Sequence, residues 1–185
     1  MRDPLRLTLW LEGFSSIALP VYFRKLVSVF PLSKLSPAAR FRIVPLSWGE
    51  PPLLEEEFEP DGGLAELSAV VQEHLHDDCA YQLETRWDLW SWEQGEWLLK
   101  PSAVWIDLYG DRFERDSGEH AVLDFGPEST FLPEPHSDNL RPVQSNIRSL
   151  LHLAGDLDQA LPVRRKLLWS ETGGNLAERL SQLLD

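Results

Sequence analysis

The sequence has few of the residues that mark secreted or membrane proteins. Its 185 residues include one cysteine, Cys79, so no internal disulfide can form and no oxidising compartment is required. The longest uncharged run near the start, residues 13–23, has 11 residues, and a membrane helix needs about 20. Asp3 and Glu12 interrupt the pattern of a secretory signal. We therefore expect a cytoplasmic protein that does not contact a membrane.

Signatures of common enzymes are also missing. The chain has no GxSxG, GxxxxGK[ST] or GxGxxG sequence. Residues 171–175, ETGGN, contain two glycines but no lysine, and they fit a loop that leads into a helix. His74 and Asp78 stand four residues apart, as ligands on one helix face do, but no second pair matches them. We predict no catalytic residues, no metal and no cofactor, which favours a binding protein over an enzyme.

Positive charge is absent from one long stretch of the chain. No lysine or arginine occurs from Ile43 to Thr85, while 11 acidic residues fall in that interval. The net charge is −13, and residues 49–138 hold 23 acidic but only four basic side chains. Nucleic-acid binding requires clustered basic groups, so this distribution argues against it. It predicts an acidic surface that would attract a basic protein partner.

The sequence does contain alternating strand and helix patterns. Up to Trp92 their order is strand, helix, strand, strand, helix, strand, which is the split βαβ plan. We therefore predict an α+β protein with a ferredoxin-like βαββαβ core. The apolar positions of these elements should be buried in one core, and those we select are Leu9, Phe23, Leu26, Phe41, Ile43, Leu67, Val71, Leu83 and Trp87.

Sheet patterns continue beyond this core. Further strands are predicted as an antiparallel β-meander at residues 96–99, 103–109, 112–115 and 120–125. The sheet domain is expected to span residues 1–126, followed by a proline-rich loop over 127–138. Residues 139–185 should form a helix-strand-helix segment packed on the same domain, with its first helix ending at Gly155. Two C-terminal helices thus complete the predicted fold.

Five of the eight tryptophans fall within residues 85–105. Trp90 and Trp92 continue the polar side of the preceding strand, so either a bulge near Leu89 re-aims the strand or both indoles lie on the polar face. Trp97 should return close to Trp92 across a turn at residues 94–95. The cluster is either an aromatic clamp that holds the hairpin or a binding surface. The other tryptophans are assigned to the core or the edge of the sheet: Trp10, Trp48, Trp105 and Trp169.

These observations predict a non-enzymatic protein that engages a basic protein partner. The candidate partner-binding residues combine the hairpin indoles with an acidic run: Trp90, Trp92, Trp97, Glu55, Glu56 and Glu57. Two alternatives remain open, a carbohydrate-binding module and a hydrolase that uses Asp, Glu or His side chains. Both depend on carboxylates interleaved with tryptophans, as in sugar sites, namely Asp88, Glu93, Glu96 and Asp107. The sequence makes no prediction of oligomeric state.

Overall fold

The computed structural model describes residues 3–46, 49–132, 139–171 and 176–184. The strands are β1 (Pro4–Leu11), β2 (Ala39–Pro45), β3 (Leu54–Phe58), β4 (Cys79–Glu93), β5 (Glu96–Tyr109), β6 (Ala121–Pro127) and β7 (Val163–Trp169). The α-helices are α1 (Leu19–Val29), α2 (Pro60–Glu73), α3 (Arg141–Ala160) and α4 (Leu176–Gln182). Short 3-10 turns occupy Ser16–Ala18 and Glu128–Thr130. No helix within the described ranges is long and apolar enough to span a membrane.

The strands form one antiparallel sheet in the order β3-β2-β4-β5-β6-β1-β7. Its longest pairing is the β4–β5 hairpin, which runs without a register shift from Ala80 opposite Tyr109 to Glu93 opposite Glu96. The two-residue turn has φ values of 51° at Gln94 and 92° at Gly95. Positive φ at both positions gives the turn a twist that matches the right-handed twist of the flanking strands. Glycine suits the second position because it adopts positive φ readily.

The predicted ferredoxin-like core is wrong. The element order through β4 is as expected. In the split βαβ plan, however, the first strand pairs with other strands of the same four-stranded unit. Here β1 pairs with β6 and β7. The reason is that β4 has only two edges. β2 takes one edge, and the two-residue turn brings β5 to the other at little cost in loop entropy, so no edge of β4 is left for β1.

Burial alternates along most of β2, β4 and β6 and is strongest on one side of β1, and the helices cover one face of the sheet. In β1, for example, Leu5, Leu7 and Leu9 are buried among the helical side chains, while Arg6 points to the other face. The predicted core is confirmed, because every selected residue is buried in one cluster: Leu9, Phe23, Leu26, Phe41, Ile43, Leu67, Val71, Leu83 and Trp87.

Three predicted boundaries differ in the structure. Residues 96–109 form one strand and not two. Residues 112–115 form a turn, in which the Arg112 N–H donates to Asp77 O at 2.7 Å. The helix predicted to end at Gly155 continues to Ala160, since glycine weakens a helix without breaking it.

Of the predicted proline-rich loop, residues 133–138 lie outside the described residues. β7 pairs with β1, so residues 163–169 belong to the same sheet as residues 4–127.

Candidate functional site

The sheet face that points away from the helical core is called the open face here. Antiparallel pairing aligns its side chains in rows that cross the strands. The central row contains one residue from each strand, in the order Leu167, Thr8, Val122, Asp107, Gln82, Arg42 and Glu55.

A second row, called the charged row, runs parallel to the central row two residues further along each strand. Opposite charges are neighbours at several of its positions. It contains Trp169, Arg6, Asp124, Trp105, Glu84, Arg40 and Glu57.

Small side chains in the central row leave a depression between large aromatic ones. Thr8 and Val122 are short, whereas rings project two positions away along the strands, about 7 Å on either side. The resulting cavity measures about 510 Å³, a size typical of small-ligand sites. We call it the open-face pocket. The aromatic rings among its lining residues are Trp10, Trp105, Tyr109 and Trp169.

Asp107 presents a carboxylate that its surroundings do not fully satisfy. Its Oδ1 atom is buried and has no hydrogen-bond partner within the described part of the chain. Its Oδ2 atom accepts a long 3.4 Å hydrogen bond from the Tyr109 hydroxyl. Burial raises the pKa of Asp107 to about 6, and Asp124 adds to the rise, while Tyr109, Gln82 and Arg42 oppose it. A half-satisfied carboxylate in a cavity is a strong candidate for ligand contact.

Two further polar atoms of the pocket residues lack partners among the described residues. The Arg42 Nε and Glu119 Oε2 atoms are both buried without a hydrogen bond. The Arg42 guanidinium lies 3.8 Å from the Glu84 carboxylate through its Nη2 atom, so its Nε donor remains free. With Asp107 Oδ1, the pocket therefore offers two free acceptors and one free donor, the inventory expected of a site that binds a polar molecule.

Two of the pocket indoles, Trp10 and Trp169, are held in place by hydrogen bonds and cations. Trp169 Nε1 donates to Thr8 Oγ1 at 3.1 Å, and the Arg6 guanidinium lies 5.5 Å from the centre of the Trp169 ring. Trp10 Nε1 donates to Ser117 O at 3.0 Å, and Arg165 lies 4.4 Å from the Trp10 ring centre. These contacts fix ring orientation before any ligand arrives, which lowers the entropy cost of binding.

The loop of residues 110–120 contributes Ser117 and Glu119 to the pocket and is itself anchored. His120 Nδ1 accepts a 2.8 Å hydrogen bond from the Leu11 N–H. Burial, followed by Arg115, lowers the pKa of His120, which suits a neutral ring with an accepting Nδ1. Asp111 Oδ2 accepts from the Ser16 N–H at 2.8 Å. The loop thus forms a rigid rim on one side of the pocket.

The predicted hairpin residues lie at the far end of β4 and β5. The continuous register excludes a bulge near Leu89, so Trp90 and Trp92 follow the alternation of the open face. The expected contact across the turn is confirmed, since the Trp92 and Trp97 rings meet edge to face at 5.3 Å. Trp92 is 41% exposed, whereas Trp97 is half-buried and packs against the core. Whether this pair binds a partner stays a prediction.

The acidic run lies on the edge strand β3, and the structure does not bring it together with the hairpin indoles. Glu57 is level with Glu84 of β4, and eight residues, about 26 Å, separate Glu84 from Trp92 along that strand. Arg40 lies between two of the glutamates, 3.7 Å from Glu55 and 3.2 Å from Glu57. The negative charge of this edge is therefore partly compensated, while Glu56 is exposed.

The carboxylates proposed for sugar chemistry separate into different environments. Asp88 accepts hydrogen bonds from the loop after α1, including the Lys34 N–H at 2.8 Å. Glu93 pairs with Lys100, and Glu96 is exposed beside the turn. Only Asp107 reaches the open-face pocket.

The His74 and Asp78 pair does not share a helix face, because α2 ends at Glu73. The Tyr81 hydroxyl instead donates to His74 O at 2.8 Å. Within the described ranges, no three His, Cys, Asp or Glu residues are placed to hold a metal ion.

Sequence reasoning missed most of the pocket. Trp10, Trp105 and Trp169 were assigned to the core or the edge, and Trp48 lies outside the described residues. The available signal was alternation: Trp10 and Trp105 lie between buried apolar neighbours in their strands, whereas β7 gives no such signal for Trp169. When several strands of one sheet carry large aromatic residues at polar positions, those rings indicate a depression that they line.

Comparison of the chain with protein families, with curated proteins and with solved structures found no match to any of them.

Proposed function

We propose that this protein binds a small saccharide in the open-face pocket, as a binding protein and not as an enzyme. The observation that carries the proposal is the buried, unpartnered Oδ1 atom of Asp107 beside indole rings. A buried acceptor without a partner costs free energy in the unbound protein, on the order of 1–3 kcal/mol. A ligand hydroxyl that donates to this oxygen recovers that loss.

The chemistry of the lining fits a sugar in two respects. The apolar C–H face of a sugar ring can pack on an exposed indole, and Trp105 is 37% exposed on the charged row. Sugar hydroxyls both donate and accept, so the same ring can satisfy Asp107 Oδ1 and accept from Arg42 Nε. A purely apolar ligand would leave both groups unpaired.

The hydrolase alternative requires a second carboxylate beside Asp107, and Asp124 does not provide it. Glycoside hydrolysis requires two carboxyl groups on either side of the scissile bond. Asp124, which lies near Asp107, accepts from Arg6 Nε at 2.9 Å and from the Gly126 N–H at 2.9 Å. Both of its oxygens are thus occupied by the protein, so Glu119, which also lines the pocket with a buried oxygen left free by the described residues, is the carboxylate that a hydrolase would pair with Asp107. The engagement of a basic protein partner and the cytoplasmic location stay predictions.

Titration calorimetry with methyl glycosides, preceded by a glycan array to select the ring configuration, tests the proposal. Binding should quench or shift the fluorescence of the pocket indoles. Trp105→Ala and Asp107→Asn should each weaken binding about tenfold or more. Trp92→Ala is the matched control, because it removes an exposed indole of the same face outside the pocket, and it should leave the affinity unchanged.

The proposal is wrong if no saccharide binds, or if Trp92→Ala abolishes binding while Trp105→Ala does not. Circular dichroism of each variant distinguishes a lost contact from a lost fold.

A further inference from the structure

We infer that the open-face pocket selects a saccharide bearing an ammonium group, an amino sugar, over neutral and acidic sugars. This inference rests on the proposed function and assigns the ligand class within it. It follows from the charges that remain after the protein's own pairs are formed.

The arginines of the pocket already have acidic neighbours. Arg6 forms a 2.9 Å ion pair with Asp124, and Arg42 lies 3.8 Å from Glu84. The Asp107 Oδ1 and Glu119 Oε2 atoms accept no hydrogen bond within the described ranges, although the charges of Arg42 and Arg115 act on these two carboxylates. A ligand that adds positive charge would compensate them, whereas a ligand carboxylate would add to the negative charge.

Asp107 and Glu119 both line the open-face pocket. Burial raises the pKa of Tyr109, and the charges of Asp107 and Glu119 raise it further, while the charge of Arg115 lowers it. An ammonium group has three N–H donors on one nitrogen, so it can donate to two carboxylates at once. A hydroxyl has one donor and cannot do so.

The indoles also favour a cation. Arginines of the protein already lie over Trp10 and Trp169, which shows that these ring faces accept positive charge. Trp105 stands between Asp124 and Glu84 in the charged row, and each of these carboxylates already has an arginine neighbour. An ammonium group near Trp105 therefore gains chiefly from the ring face.

Arg42 is the reason that we infer an amino sugar and not a simple amine. Its buried Nε atom is a donor without an acceptor, so the ligand must carry an oxygen as well as an ammonium group. A sugar ring with one amino substituent supplies both. An alkylamine supplies only the charge.

The test compares ligands that differ in one substituent. Methyl glycosides bearing an amino, acetamido, hydroxyl or carboxylate group are titrated into the full chain at pH 7, in the gluco, galacto and manno series, with methylammonium as a fifth probe. We expect the amino sugar to bind about tenfold more tightly than its hydroxyl counterpart. Methylammonium should bind far more weakly than the amino sugar.

A Glu119→Gln variant provides the second readout. It should reduce the preference for the amino sugar while the hydroxyl counterpart binds as before. Equal affinity for the amino and hydroxyl sugars, or a preference for the carboxylate, overturns this inference and leaves the proposed function intact. Binding of methylammonium as tight as that of the amino sugar also overturns it. Failure of every sugar to bind overturns the proposed function itself.

Discussion

Asn146 on α3 bonds to both backbone polar groups of Trp90 on β4. Its Oδ1 accepts from the Trp90 N–H at 2.9 Å, and its Nδ2 donates to Trp90 O and to Thr130 O, each at 2.8 Å. β2 pairs with β4 only as far as Glu84, so Asn146 satisfies a strand edge that has no neighbouring strand there. A single buried side chain thus links the hairpin to the helical layer.

Asn146→Ala should therefore lower the free energy of unfolding by about 2–4 kcal/mol, because three backbone groups lose their partner in a buried site. Urea denaturation followed by circular dichroism measures the change. Ser145→Ala is the control, since Ser145 is the exposed neighbour on the same helix, and it should change stability by less than about 0.5 kcal/mol. Similar losses in both variants would contradict the role given to Asn146.

The carboxylate of Asp107 should make stability depend on pH. Its folded-state pKa is about 6 and the ordinary value is 3.8, so the folded state holds the proton more tightly than the unfolded state. Stability should consequently fall as the pH rises from about 4 to 6 and remain lower above that range. Asp107→Asn should remove this fall and be more stable than the wild type at pH 7.5, by about 1–2 kcal/mol.

Asp124→Asn serves as the comparison for this pH experiment. Asp124 pairs with Arg6 at 2.9 Å, so its replacement should destabilise the protein at pH 7.5 and not stabilise it. Urea titrations at several pH values between 4 and 7.5 measure both variants. If Asp107→Asn keeps the wild-type pH dependence, the assignment of the buried charge to Asp107 is wrong.

Two glycines should respond in opposite ways to alanine. A Cβ atom on Gly110 would lie 2.3 Å from Asp77 O, a backbone atom that cannot rotate away. Gly110→Ala should cost about 3 kcal/mol or more. Gly155 lies inside α3 with no atom within 4 Å of an added Cβ, and Gly155→Ala should stabilise by about 1 kcal/mol because alanine favours helix. Melting temperatures of the two variants should shift in opposite directions.

The compensation of the acidic edge strand can be tested with salt. Arg40 lies within 4 Å of Glu55 and Glu57, and its replacement by glutamine leaves two like charges on one strand. Arg40→Gln should lose about 0.5–1 kcal/mol at low ionic strength and recover most of it in 0.5 M salt. Lys25→Gln removes the same charge from an exposed position on α1. Equal salt dependence in both variants would show that the edge is not specifically compensated.

The core could be predicted from sequence because period-two and helical spacing mark it directly. Leu83 and Trp87, for example, stand on the buried side of β4 by simple alternation. Strand neighbours could not be predicted in this way, since alternation assigns a face and not an edge. The pairing of β1 with β6 and β7 depends on which edges β2 and β5 had already taken.

The pocket could not be predicted from the sequence for the same reason. Trp105 and Trp10 at polar positions are compatible with exposed edges, hairpin clamps or ligand sites. Only the register places the short side chains of Thr8 and Val122 between them and creates the depression. The hairpin tryptophans are close in sequence, whereas the pocket indoles come from β1, β5 and β7.

The placement of β1 has a consequence for synthesis on the ribosome. The bonded pair Arg6 and Asp124 is separated by 118 positions, and Trp169 and Thr8 by 161. The two edges of β1 therefore have no partner strand until β6 emerges from the ribosome, and the second edge has none until β7 follows. Such long-range pairing slows folding and leaves apolar surface open to aggregation meanwhile.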